Sequence, residues 1–307
     1  MPSFASQQYW DERFSKDSSA FDWLISAAAL RDVATGWIPA KVLLDAEILH
    51  IGCGTSDANV LREMVRSPEQ VHNVDYSAAA VEAGRAREQE VLVKEAEAEP
   101  LVDMTDSVQD KFRTESLTPP SMRWSCLDLL SFYATLSLAE QQPERGKMYD
   151  LILDKSTSDS IACGSDVRLQ LPYPLSINGW TRGILASGVV DHADVHPLHI
   201  LAVHLAALTT PRTGRWIAIS YSDGRFPFLP PYAQSASHGF LPDSAIKAGF
   251  PHPNQLWKLE AKERIEPRAE EETLAQRRKR LKEGTVHRPQ IAHWIYVLVR
   301  TDVVITD

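Results

Sequence analysis

Two clusters in this chain have residue types and spacing suited to chemistry. The first runs from Glu47 to Ser77, EILHIGCGTSDANVLREMVRSPEQVHNVDYS. The apolar run Ile48-Leu49-His50-Ile51 has the length of a buried parallel strand, and Gly52-Cys53-Gly54-Thr55-Ser56 breaks it. Glycines let backbone approach a ligand closely. A helix beginning there, through Leu61, Met64 and Val65, would offer free N–H groups. A second short strand ends on Asp75, 21 residues after Gly54. A carboxylate at that distance is placed to bind a ribose diol, so the stretch reads as a nucleoside-cofactor site.

The second cluster is Asp154-Lys155-Ser156-Thr157-Ser158-Asp159, directly after the apolar run Tyr149–Leu153. Polar residues at the carboxyl end of a central strand lie where open α/β sheets bind ligands. Asp154, Lys155, Thr157 and Asp159 are therefore candidates for a reaction or substrate-binding locus, against the plainer reading of a loop that caps the next helix. Tyr221-Ser222-Asp223-Gly224-Arg225, at the tip of the strand Gly214–Ser220, forms a second candidate wall through Tyr221 and Arg225.

The elements that must position these residues follow from periodicity. Residues 1–40 carry the aromatic cluster Tyr9, Trp10, Phe14, Phe21 and Trp23. This is a helical segment that either packs on the domain or forms a flap closing an aromatic and Arg13 over the cofactor. A helical segment from Ile25 to Val42, interrupted at Pro39, leads to the first strand. An Ala-rich, solvent-facing helix is expected from Ala78 to about Glu97, and a strand from Met122 to Cys126. Asp128 then either bonds a ligand amino group or N-caps a helix over Leu129–Ala139. An apolar helix over Leu198–Thr209, a helix within Ser237–Phe250, and strands at Trp257–Ile265 and His293–Val299 complete the pattern. Residues 98–121 read as a loop insertion, 163–197 as an ordered lid or substrate insertion, and 266–288 as a charged hairpin insertion. The expected architecture is one domain over 1–307. It is α/β, a doubly wound, seven-strand, mostly parallel sheet with an antiparallel C-terminal edge.

Composition narrows the function classes. A net charge of −9 argues against a nucleic-acid-binding body, and the basic run Arg277-Arg278-Lys279-Arg280 has no interleaved aromatics. Cys53, Cys126 and Cys163 have neither a disulfide framework nor metal spacing. His192, Asp194, His196 and His199 are broken by Pro197 and have no further ligands, so no metal is expected; His199 and His204 read as packing or surface residues. The start, MPSFASQQYWDERFSKD, lacks an apolar signal core, and no long apolar run appears. The expectation is a cytoplasmic, soluble monomer without nucleic-acid or membrane partners. A dinucleotide cofactor would want the third glycine of G-x-G-x-x-G, where this chain has Asp57. A single nucleoside needs no such cradle.

Leu49–Ser56, Asn73–Ser77 and Leu151–Asp159 resemble the motifs of seven-strand (class I) S-adenosylmethionine-dependent methyltransferases. Tyr9-Trp10-Asp11-Glu12-Arg13-Phe14, Phe21-Asp22-Trp23-Leu24 and His293-Trp294-Ile295-Tyr296-Val297 are similar to a branch that includes lysine methyltransferases of translation elongation factor 1-alpha. The resemblance implies a Rossmann-like fold with S-adenosyl-L-methionine held by Gly52, Cys53, Gly54, Ser56, Asp75, Tyr76, Ser77, Asp128 and Leu129. Asp75 would bind the ribose hydroxyls, Tyr76 would stack beside adenine, and Asp128 with Leu129 would hold its edge. Trp10 and Arg13 would enclose the cofactor, Arg13 near its carboxylate. Asp154 would face the transferable methyl, with Lys155 beside it. His50 stands where many members carry an acid, and Ser156 replaces the glycine of the branch's aspartate-lysine-glycine-threonine motif. The implied acceptor is a protein lysine. A small-molecule N- or O-methyltransferase, an aminopropyltransferase and a non-catalytic cofactor-binding module are the alternatives. A lid enclosing a compact pocket would favour the small molecule.

Overall fold

The structure, a computed structural model, describes residues 3–98, 119–141, 147–177, 191–230, 241–265 and 292–306. The expected insertions at 98–121 and 266–288 lie almost wholly outside these residues, as does the centre of the 163–197 segment. The strands are β1 (Ile48–Ile51), β2 (Val71–Asp75), β3 (Arg123–Cys126), β4 (Leu151–Lys155), β5 (Val167–Leu171), β6 (Ser176–Ile177), β7 (Asp191–Val195), β8 (Arg215–Ser220), β9 (Trp257–Ile265), β10 (His293–Arg300) and β11 (Ile305–Thr306). The helices are α1 (Gln7–Lys16), α2 (Ala27–Trp37), α3 (Ala40–Leu43), α4 (Ala78–Ala98), α5 (Phe132–Glu140), α6 (Thr157–Ile161), α7 (Pro197–Leu208), α8 (Asp243–Lys247) and α9 (Pro253–Leu256).

Seven strands form one sheet in the order β3-β2-β1-β4-β8-β10-β9. The first five pair in parallel, and β10 runs antiparallel to both β8 and β9. This is the Rossmann-like sheet with an antiparallel C-terminal edge expected from the sequence. Strands β1, β2 and β4 are buried along their whole length, as parallel strands covered on both faces must be. One face packs Leu49, Ile51 and Ile152 against α5, α7 and α9. The other packs Ile48, Leu151 and Leu153 against α2 and the turn after β1. Gly84 of α4 marks one close approach, since a Cβ there would sit 2.2 Å from the Trp124 ring of β3. No helix among the described residues is long and apolar enough to cross a membrane.

Several local expectations are corrected. The segment after the glycine turn is a 3-10 helix, Ala58–Met64, rather than an α-helix. Its first free amide is taken by its own Asp57 cap (Asn59 N to Asp57 Oδ1, 3.2 Å), so no helix start faces a ligand there. Strand β4 begins two residues later than expected, with Tyr149 forming an isolated bridge to Thr209, and it extends through Asp154 and Lys155, which pair with Ala218 and Ile219 of β8. Helix α5 starts at Phe132, capped by Ser131, and Asp128 instead closes a turn on the Leu130 amide at 2.8 Å. In α4, Glu88 is not solvent-facing but buried, accepting from Trp124 Nε1 at 2.8 Å. The 163–197 insertion contributes β5 and β7 as an antiparallel pair, and β6 pairs with β11.

Candidate functional site

The C-terminal ends of the parallel strands open into one cavity of about 1060 Å³. That is the upper end of the roughly 300–1,000 Å³ typical of ligand pockets. Its two ends are built by the two sequence clusters.

At the β1–β2 end, Gly52 and Gly54 adopt left-handed conformations (φ +55° and +53°). The turn needs glycine on both counts, because a Cβ on Gly52 would fall 2.0 Å from Thr157 Oγ1. The Gly54 amide donates to Asp75 Oδ2 at 2.8 Å and the Ser77 amide to Oδ1 at 2.9 Å. Burial pushes the Asp75 carboxyl up to about 6, aided by the nearby Asp11 charge and opposed by these amides. The Tyr76 amide also lowers this carboxyl, and with about four acceptor sites a carboxylate so held keeps capacity for a ligand hydroxyl. Leu127, Asp128, Leu129 and Leu130 line the wall beyond Tyr76, and the Leu127 amide ties that loop to the Asp75 carbonyl at 2.9 Å.

At the β4 end, Lys155 reaches into the cavity. Its ammonium donates to Ser56 Oγ at 2.6 Å and pairs closely with Asp22. Burial pushes the Lys155 pKa down while Asp22 pulls it up. Asp159 is saturated by Ser220 Oγ (2.5 Å), Arg225 Nε (2.6 Å) and the Tyr221 amide (3.2 Å). Tyr221 projects beside it with the Arg225 guanidinium 5.2 Å from its ring centroid. Ser156, at the bend between Lys155 and Thr157, is left-handed (φ +64°), the conformation a glycine would adopt without strain.

The N-terminal segment covers both ends. Trp10 and Phe14 of α1 stack at 5.5 Å, and Phe4 meets Trp23 edge-on at 5.5 Å. Backbone and side-chain bonds fix the cover: Trp10 Nε1 to the Phe4 carbonyl (2.7 Å), Gln7 Nε2 to the Tyr76 carbonyl (2.6 Å) and Ser56 Oγ to the Phe21 carbonyl (3.2 Å). From the insertion, Cys163, Val167 and Pro197 close the β4 side.

Of the residues singled out from sequence, Trp10, Gly52, Cys53, Gly54, Ser56, Asp75, Tyr76, Asp128, Leu129, Lys155, Thr157, Asp159 and Tyr221 all line this cavity. Four others do not. Asp154 is fully buried, accepting from the Thr157 (2.8 Å) and Ser158 (3.2 Å) amides and Trp216 Nε1 (3.2 Å), and burial pushes it up to about 7. Ser77 lies behind Asp75, and Arg225 stands behind Tyr221 on Asp159. The Arg13 guanidinium stacks over Phe21, 4.0 Å from its centroid, in a separate cleft with Tyr9 and Glu12. His50 is buried and neutral, pushed down to about 4 by burial, with Nδ1 donating to Asn73 Oδ1 at 2.9 Å. Sequence reasoning did not find Asp22, Ser160 or His293 as cavity residues. Asp22 was visible only within the motif Phe21–Leu24, and nothing local foretells its pairing with a lysine 133 residues away.

These residues fit an S-adenosyl nucleoside. The orphaned acceptor capacity of Asp75 suits a ribose diol, and the glycine turn leaves room where side chains would intrude. The wall of Tyr76, Leu127, Leu129 and Leu130, with Asp128 among them, suits a flat base that carries an amino group. Of the metal candidates, His192 and Asp194 lie on β7, His196 caps α7 and His199 is buried within it.

No family model matches the chain. It is 30% identical over 166 residues to methyltransferase srdJ of Neurospora crassa, a match that covers 54% of this chain and spans 57% of that protein's length. Among solved structures it resembles a SAM-dependent methyltransferase from Anabaena variabilis (TM-score 0.46, 10% identity, covering 96% of this chain and 93% of that one). It also resembles the N-methyltransferase NodS from Bradyrhizobium japonicum in complex with S-adenosyl-L-homocysteine (TM-score 0.43, 10% identity, 95% and 98%).

Proposed function

We propose that this chain is an S-adenosylmethionine-dependent methyltransferase. The carrying observation is the Gly54–Asp75 bond at the tips of β1 and β2. It fixes a buried carboxylate that lines the cavity beside a glycine turn. The partial match to a fungal methyltransferase supports the same reading.

When bound, the cofactor supplies an already activated sulfonium methyl, so the protein's contribution is alignment and exclusion of water. Asp75 receives the ribose hydroxyls, Tyr76 and Leu127–Leu130 flank the base, and the aromatic cover of Trp10, Phe14 and Trp23 shuts the site. Asp154 works as a positioning residue, holding the Thr157 and Ser158 amides and through them the bend that aims Lys155. The acceptor would lie between Lys155, Tyr221 and His293. Burial lowers the His293 pKa, against the Asp159 charge, which favours the neutral imidazole whose ring nitrogen would take a proton from the acceptor.

Two acceptor classes remain in play. The resemblance of the N-terminal and Asp154 motifs implies a protein lysine on an elongation-factor-like substrate. The contribution of Cys163, Val167 and Pro197 of the insertion to the same cavity favours a small-molecule acceptor instead, and we take this as the leading reading. Arg13, expected to separate methyl from aminopropyl transfer by holding the cofactor carboxylate, lies outside the cavity. Calorimetry with S-adenosylmethionine and its decarboxylated form makes that separation directly, with tighter binding of the former expected. Labelled S-adenosylmethionine incubated with a cell lysate then identifies the acceptor class. Label in small molecules supports the leading reading, and label in protein selects the lysine reading.

A further inference from the structure

A buried imidazole lies behind the cavity wall. His204 lies in α7, which is buried along nearly its whole length, and has no exposed surface of its own. Its Nδ1 is 2.7 Å from the Leu129 carbonyl and its Nε2 is 2.6 Å from the Tyr173 hydroxyl. A carbonyl only accepts, so Nδ1 carries the proton and Nε2 accepts from the tyrosine. Burial lowers the His204 pKa, against the Leu129 bond and the Asp128 charge, and the imidazole is neutral. The groups facing it are therefore Asp128 from the cavity loop and Tyr173 from the insertion.

Both partners matter to the cavity. Leu129 is the centre of the loop 127–130 that lines the wall beyond Tyr76. One end of that loop is anchored at the Asp75 carbonyl by the Leu127 amide, and Asp128 Oδ1 braces its interior on the Leu130 amide. The imidazole anchors its centre to the helix layer. Tyr173 follows β5 in the insertion, and its ring stacks on His204 (5.9 Å, 22°) and packs on Phe250 (5.1 Å). A chain of two hydrogen bonds thus joins the insertion beside the acceptor end to the loop at the nucleoside end.

We propose that His204 is a positioning residue for cofactor binding, fixing the base-facing loop at Leu129 and tying it to the insertion through Tyr173. The proposal rests on the nucleoside reading of the cavity. The tips of β1, β2 and β3 stand in order along the sheet. A nucleoside whose ribose sits at Asp75 of β2 must place its base toward the loop after β3.

The test uses two ligands that differ only by the base, S-adenosylhomocysteine and S-ribosylhomocysteine, titrated calorimetrically into the full chain. His204→Leu keeps apolar volume and removes both bonds. It should weaken S-adenosylhomocysteine about tenfold, the loss expected for one well-placed neutral hydrogen bond, and leave S-ribosylhomocysteine unchanged. His204→Asn, whose amide can still donate to Leu129, should recover most of the affinity. Tyr173→Phe, a milder change that serves if His204→Leu fails to fold, should show a smaller loss with the same selectivity. Equal weakening of both ligands, unaltered S-adenosylhomocysteine affinity, or no advantage of Asn over Leu overturns the positioning role. Failure of the unaltered chain to bind S-adenosylhomocysteine overturns instead the nucleoside reading beneath it.

Discussion

The Gly54 amide donates to Asp75 Oδ2 at 2.8 Å, joining the tips of two adjacent parallel strands across 21 residues of sequence. With Ser77 on the other oxygen, the carboxylate is oriented before any ligand arrives, and its remaining acceptor sites face the cavity. Asp75→Ala should therefore weaken S-adenosylhomocysteine by about a hundredfold, the result of losing two hydrogen bonds at the lower end of the about 1.5–3 kcal/mol that each contributes at a charged acceptor. The binding isotherm of the folded variant, checked by circular dichroism, reads this out.

The same carboxylate predicts a pH dependence of binding. Burial raises Asp75 to about 6 in the free protein, and the ionised form is the one that accepts two hydroxyls. Affinity should be constant above about pH 7 and fall toward tenfold per unit once pH drops below 6. Calorimetry between pH 5 and 8 measures it, and an affinity flat across this range would contradict the assigned role.

Asp154 makes a prediction about stability. Its carboxyl is raised from 3.8 to about 7, first by burial and then by Asp159, so the folded chain holds a proton that the unfolded chain has lost between these values. The folded state binds more protons there, and stability must decline as pH rises through that window. Asp154→Asn should reduce this decline. It should also cost about 1–3 kcal/mol at acid pH, because an amide can point a donor at Trp216 Nε1. Tm against pH for both proteins tests it. S-adenosylhomocysteine affinity should change little, as the side chain is not at the cavity.

Ser156 holds a left-handed backbone that L-residues adopt at a cost of about 1–2 kcal/mol. Ser156→Gly relieves that strain and loses about 0.5–1 kcal/mol to the freer unfolded chain, for a net gain near 0.5–1 kcal/mol. Denaturant midpoints at unchanged m-value should report a more stable protein.

Lys155→Met removes the ammonium that holds both Asp22 and Ser56, and so loosens β4 from the N-terminal cover and the glycine turn. The cover should open more readily. Stopped-flow tryptophan fluorescence should show S-adenosylhomocysteine dissociating about tenfold faster, in line with loss of a charge-assisted bond.

Much of this arrangement was legible in the chain because parallel strands buried on both faces are continuous apolar runs, and glycines punctuate the turns that follow them. Ile48–Ile51 was located to the residue, and Asp75 was placed at the end of the second strand, where β2 ends. What was not legible depends on contacts distant in sequence. Asp154 is held inside by Trp216 of β8, 62 residues away, and no local pattern reports it. Asp22 and His204 look like a loop acid and a packing histidine until Lys155 and Leu129 are brought beside them.

The central claim is that the cavity over β1, β2 and β4 binds S-adenosylmethionine through Asp75. Its most direct test is a calorimetric titration of S-adenosylmethionine into the unaltered chain and into Asp75→Ala. Saturable one-to-one binding by the first, weakened about a hundredfold in the second, is the predicted result. No binding by the unaltered chain, or equal binding by the two, would contradict the account.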